Sequence, residues 1–150
     1  MSSLTLRFIA EPGAANPGGK VPGGTVMKWI DEAGCACATR WARRNCVTVS
    51  VGSLRFQKPI LAGELVEVEA RLAYTGRTSL NLSIEVRSSD LQTGQMQVTT
   101  DCLAVFAAVD ADGKALPVVA WFPETPGDIA LAQRVKAHLD SARSPPLRAG

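Results

Sequence analysis

Residues 24–44 read GTVMKWIDEAGCACATRWARR and carry the clearest helical pattern of the chain. The middle of this stretch, residues 33–38, consists almost entirely of small residues. A helix with such small side chains can pack tightly against a sheet on more than one face. The apolar side chains that recur at helical spacing are Val26, Ile30, Ala33, Cys37 and Trp41. We therefore predict one long helix at the centre of the fold.

Outside this helix the apolar residues recur with a period of two, which is typical of strands. Such clean alternation predicts an antiparallel sheet with one apolar face and one face in water. Gly52 indicates a β-bulge in the strand that follows the helix. A further short extended segment ends near Val119. The alternating segments are residues 4–9 before the helix and residues 47–56, 66–74, 80–86 and 96–109 after it.

The predicted order is one strand, one long helix and four or five further antiparallel strands. This order predicts an α+β protein with the hotdog fold. In this fold a single curved sheet wraps around the central helix. Residues 1–120 would form this domain, and residues 121–150 a linker, a short C-terminal helix and a tail. The C-terminal helix spans about residues 128–142, with Ile129, Ala132, Val135 and Leu139 on one side. Because a single sheet leaves open edges and one uncovered face, we expect an oligomer.

Length and composition limit the possible functions. A chain of 150 residues with 46% hydrophobic residues forms one domain with a substantial core. The net charge of +2 is too small to indicate nucleic-acid binding. No apolar run is long enough to span a membrane. Arg7 and Glu11 interrupt the N-terminal apolar stretch, which makes it a poor signal peptide, so we expect a cytoplasmic location with no membrane partner.

The cysteines and the single histidine offer little chemistry at the sequence level. No cysteine spacing matches a zinc site, and the sequence predicts no metal. We interpret all four cysteines (Cys35, Cys37, Cys46 and Cys102) as small buried apolar residues, with a reactive thiol or a disulfide as the alternative. His138 is interpreted as a surface residue. The chain has no G-x-S-x-G motif, and Lys20 is followed by Val21, which excludes a phosphate-binding P-loop.

A glycine-rich loop, residues 16–24 (NPGGKVPGG), leads directly into the predicted helix. Its glycines let the backbone approach a ligand, and the first amides of a helix favour negative charge there. Asp31 lies about two turns into the helix and adds a carboxylate, and Asn16 adds a carboxamide. These groups are sufficient for acyl hydrolysis without serine, cysteine or metal. The alternatives are that Asp31 is a solvated surface acid beside Glu32, and that Asn16 and the Gly23-Gly24 pair only shape a turn.

Four segments, in order and at compatible spacing, resemble the hotdog-fold acyl-CoA thioesterases. The closest resemblance is to bacterial acyl-CoA hydrolases related to mammalian brain acyl-CoA hydrolase, and it covers about residues 4–119. Pro22 departs from this group, which usually has Phe or His there. The C-terminal helix has no clear counterpart in the core that this group shares. The four segments are Asn16-x-x-Gly19 with Gly23-Gly24 and residues 27–31, VGSLRFQKPILAGELV (51–66), GRTSLNLSIEV (76–86) and AVFAAVDADGKALPV (104–118).

This resemblance implies hydrolysis of acyl-CoA to a free carboxylic acid and CoA, with no cofactor besides the CoA of the substrate. Asp31 would act as a general base on water or as a nucleophile that forms a mixed anhydride, and both routes stay open. The Gly24 amide would polarise the thioester carbonyl. Asn16 would reach Asp31 of a second protomer. The minimal active unit would then be a homodimer, and we expect three such dimers to form a hexamer.

The substrate would also contact residues on the second strand and on the hairpin that follows the third. The hairpin residues after Gly76 would bind the nucleotide or pantetheine end of CoA, although an ordinary hairpin rim is the alternative. A hotdog dehydratase would need an active-site histidine, which the lone His138 does not supply. The remaining alternative is an acyl-CoA sensor without catalysis. The predicted substrate-binding residues are Gly23, Phe56, Gly76, Arg77, Thr78 and Ser79, with Arg55 and Lys58 as weaker candidates for the CoA phosphates.

Overall fold

The computed structural model describes residues 2–143, so the expected C-terminal tail, residues 144–150, lies outside it. Four strands follow the long helix. The segment that ends near Val119 forms no strand there and contributes only an isolated bridge between Val109 and Ala115. The elements are β1 (Ser3–Ile9), a 3-10 turn (Pro12–Ala14), α1 (Gly23–Ala42), β2 (Cys46–Phe56), β3 (Leu65–Thr75), β4 (Ser79–Ser89), β5 (Met96–Ala108) and α2 (Pro126–Arg143).

The five strands form one antiparallel sheet in the order β1-β3-β4-β5-β2, as the alternation predicted. Strands β1 and β2 are therefore the two open edges. Strand β2 pairs with β5 through register shifts between Thr48 and Ser50 and between Gly52 and Arg55, so the bulge expected near Gly52 is confirmed. Ser53 lies within it and adopts a positive φ of 52°.

Helix α1 packs against the inner face of the sheet with its small side chains, which confirms the central feature of the predicted fold. The helix ends at Ala42, two residues earlier than predicted, where Arg43 adopts a left-handed conformation with φ 54°. Gly34 permits the closest approach, because a Cβ added there would lie 2.5 Å from Cζ of the Phe106 ring. The helix residues buried in this interface are Val26, Ile30, Ala33, Gly34, Cys37 and Ala38.

The outer face of the sheet is only partly in water, because α2 covers one end of it. Leu131 and Val135 of α2 are buried with Ala73 of β3, which is fully buried. The predicted apolar face of this helix was therefore wrong at Ile129, which is 40% exposed. An ion pair of 2.9 Å between Arg71 and Asp128 fixes the first turn of α2 on the sheet, and Leu131 and Val135, four residues apart, then face inward.

Three of the four cysteines are buried and one, Cys35, is half-buried, so the interpretation of all four as buried residues was wrong at that position. All four are free thiols. Burial raises the pKa of Cys37 to about 11 and that of Cys102 to about 12. Within residues 2–143 no helix combines the length and the apolarity that a membrane crossing requires.

Candidate active site

The side chain of Asn16 shapes the glycine-rich loop. Its Oδ1 accepts hydrogen bonds from the backbone amides of Gly18 and Lys20, at 3.0 and 3.1 Å. The backbone amide of Asn16 donates to the Lys20 carbonyl at 2.8 Å. Lys20 also bridges to Leu61 in the turn that follows β2. Asn16 therefore does stabilise the turn, and it does so through Oδ1. Its Nδ2 group is the end that remains for a substrate or a second protomer.

The loop delivers its last glycines to the first turn of α1. Pro22 is the N-cap, and its carbonyl accepts from the amides of Thr25 and Val26 at 3.0 and 3.2 Å. The amides of Gly23 and Gly24 precede these donors and have no carbonyl within the helix to bind. A Cβ added to Gly24 would meet no atom within 4 Å, so a ligand can approach this amide closely.

Asp31 lies on an exposed face of α1 and its carboxylate is not simply solvated. Thr48 of β2 donates a hydrogen bond from Oγ1 to Asp31 Oδ1. This contact fixes the carboxylate beside the open edge of the sheet, because β2 is an edge strand. We did not predict Thr48 as a site residue. Its only signal was its alternate position on a strand, which does not reveal which helix residue it meets.

A cavity of about 280 Å³ opens at the beginning of α1, and we call it the helix-end cavity. It brings together three predicted residues, Gly23, Phe56 and Lys58. The Phe56 ring packs on Gly23, since a Cβ added to the glycine would lie 3.4 Å from Cζ of the ring. The other residues that line the cavity are Val21, Val26, Gln57, Pro59, Ile60 and Thr100.

The other predicted substrate contacts lie elsewhere. Arg55 forms a salt bridge of 3.1 Å with Asp101 and lines a separate cavity of about 560 Å³ beneath α2. His138 is exposed as predicted, and its Nε2 lies 2.8 Å from Ser53 Oγ in that same cavity. The structure therefore does not bring Arg55 to the helix-end cavity.

The hairpin that begins at Gly76 lies near the opposite end of α1. The Gly76 amide donates to the Ser79 carbonyl at 2.9 Å, and Arg77 accepts from the Val118 amide at 2.9 Å. The carbonyl of Val119 accepts a hydrogen bond from the indole of Trp41, which lies in the last turn of α1. Thr78 lies within the same hairpin. A helix of this length spans about 30 Å, so the hairpin and the glycine amides of one protomer lie far apart.

The predicted catalytic groups are likewise separated within one protomer. Seven residues separate Gly24 from Asp31, which corresponds to about 10 Å along a helix. Asn16 makes its polar contacts with its own loop, and among residues 2–143 none of its hydrogen bonds reaches Asp31 or Thr48. Within these residues, the hydrogen bonds of one protomer therefore do not join Asn16 to Asp31.

A five-stranded antiparallel sheet wrapped around a single long helix defines the hotdog fold. Residues 18–95 match the thioesterase superfamily. The acyl-CoA thioester hydrolase YciA of Escherichia coli is 36% identical over 120 residues, which cover 77% of this chain and 91% of that protein. The chain belongs to the thioesterase superfamily and, within it, to the hotdog-fold acyl-CoA thioesterases. It is therefore an enzyme of the thioester hydrolase class, as the sequence resemblance implied.

Two solved structures show the same fold over nearly the whole chain. The apo form of a hexameric acyl-CoA thioesterase superposes with a TM-score of 0.89 at 31% identity, covering 93% of this chain and 90% of that one. An asparagine-to-alanine variant of the acyl-CoA hydrolase from Staphylococcus aureus, in complex with coenzyme A, gives a TM-score of 0.82 at 25% identity. It covers 95% of this chain and 89% of that one.

Proposed function

We propose that this chain hydrolyses acyl-CoA to a carboxylic acid and free CoA at sites that two protomers share. The observation that carries this proposal is the position of Asp31, which Thr48 holds at the open β2 edge of the sheet. The relatives that act on acyl-CoA support the substrate class. The reaction consumes water and needs no cofactor, since the CoA is part of the substrate.

The chemistry proposed for Asp31 follows from its contacts. Thr48 occupies one carboxylate oxygen and restricts the rotation of the side chain, which leaves the second oxygen available for the reaction. That oxygen either takes a proton from water or attacks the thioester carbonyl directly to form a mixed anhydride. In both routes negative charge develops on the carbonyl oxygen. The Gly24 amide, at the positive end of the α1 dipole, would stabilise that charge.

The spacing of these groups leads us to assign them to different protomers. We infer that each site combines Asn16 and Gly24 of one protomer with Asp31 and Thr48 of the other. This arrangement brings the Asn16 loop of one protomer to the β2 edge of the other, where Thr48 holds Asp31. The free Nδ2 of Asn16 would then orient the water or the substrate beside the carboxylate.

The β2 edge is the surface that we propose for dimerisation. It is eleven residues long, and Val47 and Val49 on it are 47% and 60% exposed. A long apolar edge strand is a template for pairing with another chain, and burying it stabilises the dimer. Pairing there also places a second protomer next to Asp31. The hexameric relative supports a further assembly of three dimers.

The CoA moiety would extend away from the reacting carbon between protomers. Lys58 is the cation at the helix-end cavity, and its Nζ donates to Gln97 at 3.2 Å. Arg77 is exposed at the hairpin rim near the other end of α1. Because these two cations lie on opposite ends of one protomer, we propose that they contact a CoA molecule from different subunits.

The test is a thiol-release assay on acyl-CoAs of increasing chain length. Asp31→Asn keeps the size of the side chain and removes the base, so turnover should fall by about 10² or more. Glu32→Gln is the matched control, since this neighbouring exposed acid has no assigned role and its loss should leave turnover near normal. Near-normal hydrolysis by a folded Asp31→Asn protein would contradict the proposal.

A further inference from the structure

The helix-end cavity contains a buried hydroxyl group that the mechanism above does not use. Thr100 of β5 lines this cavity and lies directly opposite Phe56 in the pairing of β5 with β2. Thr100 is only 1% exposed, and within the described residues its Oγ1 has no hydrogen-bond partner. A hydroxyl buried without a partner is unfavourable, so such groups in native proteins are nearly always paired.

The neighbouring residue shows what an ordinary buried threonine does in this strand. Thr99 is fully buried, and its Oγ1 donates to the carbonyl of Val86 at 3.0 Å. Ser88 is a second unpaired hydroxyl on the sheet, and it does not line the cavity. Thr100 is thus the residue that both lines the helix-end cavity and carries an unpaired hydroxyl.

The remaining lining of the cavity defines what kind of group fits beside this hydroxyl. Most of the surface is apolar, from Val21, Val26, Phe56 and Ile60. The Gly23 amide and Lys58 add hydrogen-bond donors, and the lining contains no carboxylate. At about 280 Å³ the cavity is at the small end of ligand pockets. These properties match a short apolar chain that carries an oxygen atom.

In the proposed site, the acyl chain is the part of the substrate that would reach this cavity. This step rests on the proposed function, which places the thioester carbonyl at the Gly24 amide, next to Gly23 at the cavity mouth. We propose that Thr100 is a specificity residue that binds an oxygen atom on the acyl chain. The preferred substrates are then short hydroxyacyl-CoA or oxoacyl-CoA thioesters rather than unsubstituted acyl-CoA of the same length. A site that pairs a buried polar group with the substrate strongly disfavours the analogue that lacks the partner.

The experiment compares kcat/KM for 3-hydroxybutyryl-CoA, acetoacetyl-CoA and butyryl-CoA. The wild type should favour at least one of the oxygenated substrates over butyryl-CoA by about tenfold or more. Thr100→Val keeps the shape of the side chain and should remove most of this preference, whereas Thr100→Ser should retain it. Thr99→Val and Ser88→Ala are matched controls, because they remove neighbouring hydroxyls outside the cavity and should leave the preference unchanged.

Two results would overturn the proposal. The first is a wild-type enzyme with no preference for either oxygenated substrate, or a preference that Thr100→Val leaves intact. The second is a Thr100→Val enzyme that loses activity equally on all three substrates, since the cavity would then hold the shared pantetheine arm of CoA. Thermal melting guards against misfolding: Thr99→Val should lower Tm through its lost hydrogen bond, whereas Thr100→Val should not.

A failure of the proposed function is distinguishable from a failure of this inference. If the protein releases thiol from none of the three substrates, the hydrolase proposal is wrong. Calorimetric titration with the same CoA esters then still tests Thr100. Tighter binding of an oxygenated ester that Thr100→Val abolishes would support the role of the hydroxyl, and equal binding of all three would refute it.

Discussion

Mixing two inactive variants tests directly whether the site is shared between protomers. Asn16→Ala removes the carboxamide from the loop, and Asp31→Ala removes the carboxylate from the helix. In a homodimer of either variant every shared site lacks one of these groups. A mixed dimer has one site with both groups intact and one site with neither, because each site takes Asn16 from one protomer and Asp31 from the other.

The expected recovery follows from counting sites. Random exchange of equal amounts of the two variants makes about half of all dimers mixed, and each mixed dimer has one intact site out of two. Activity should therefore approach about one quarter of the wild-type value for the same total protein. If both residues served the site of their own protomer, every site would lack one group and no activity would return.

The assay is thiol release after the mixed variants have been dissociated and reassembled. A pull-down through a tag on one variant establishes that heterodimers have formed, and light scattering should give a mass above that of the 15.9 kDa chain. Refolded wild type, taken through the same steps, corrects for losses. If heterodimers form and their thiol release stays at the level of the single variants, the shared site is refuted. Such a result would not exclude a catalytic role of Asp31 within its own protomer.

Three further perturbations follow from single contacts. Thr48→Val removes the donor to the carboxylate that we propose as catalytic and should lower kcat about tenfold, in keeping with a hydrogen bond to a charged group; an unchanged kcat would exclude this positioning role. Gly34→Ala forces a methyl group to within 2.5 Å of a buried phenyl ring, so urea denaturation should show a free energy of unfolding lower by about 1–3 kcal/mol. The control Gly13→Ala places its methyl group in open space and should leave that free energy unchanged. The pKa values of Cys37 and Cys102 are raised to about 11 and 12 by burial, so these thiols keep their protons in the folded state when unfolded thiols ionise. The free energy of unfolding should therefore fall as pH rises above about 9, and Cys102→Ala should have a shallower slope than wild type; identical slopes would contradict the effect.

The sequence predicted the fold well because two periodicities describe it almost completely. Residues 33–38 are small enough to indicate a helix that packs close to a sheet. The helix approaches the sheet most closely at Gly34, which lies beneath the Phe106 ring. Strand β3 alternates regularly from Leu65 to Leu72, and the alternation ends where Ala73 is buried as well. The face of α2 was predicted wrongly at Ile129, because a weakly amphipathic helix takes its rotation from tertiary contacts such as the Arg71–Asp128 ion pair.

The candidate site was only partly predictable for a different reason. Glycines before a helix and an acid within it are local signals, and they predict Gly24 and Asp31 as site residues. Thr48 meets Asp31 across 17 residues of chain, and its hydroxyl becomes informative only when the register of helix on strand is known. Thr100 was equally hidden, since nothing in a threonine-rich strand indicates which hydroxyl has a partner.

The geometry of α1 explains why assembly and catalysis should depend on the same surface. Gly24 and Asp31 lie about 10 Å apart along one rigid helix, and the Asn16 side chain is held by its own loop. The carboxylate instead lies beside β2, whose exposed Val47 and Val49 make the edge unfavourable to leave in water. In the proposed dimer, the contact that buries this edge also brings in the amide and the carboxamide of the second protomer. On this proposal an isolated protomer keeps its core, which α1 and the sheet complete by themselves, but lacks a complete active site.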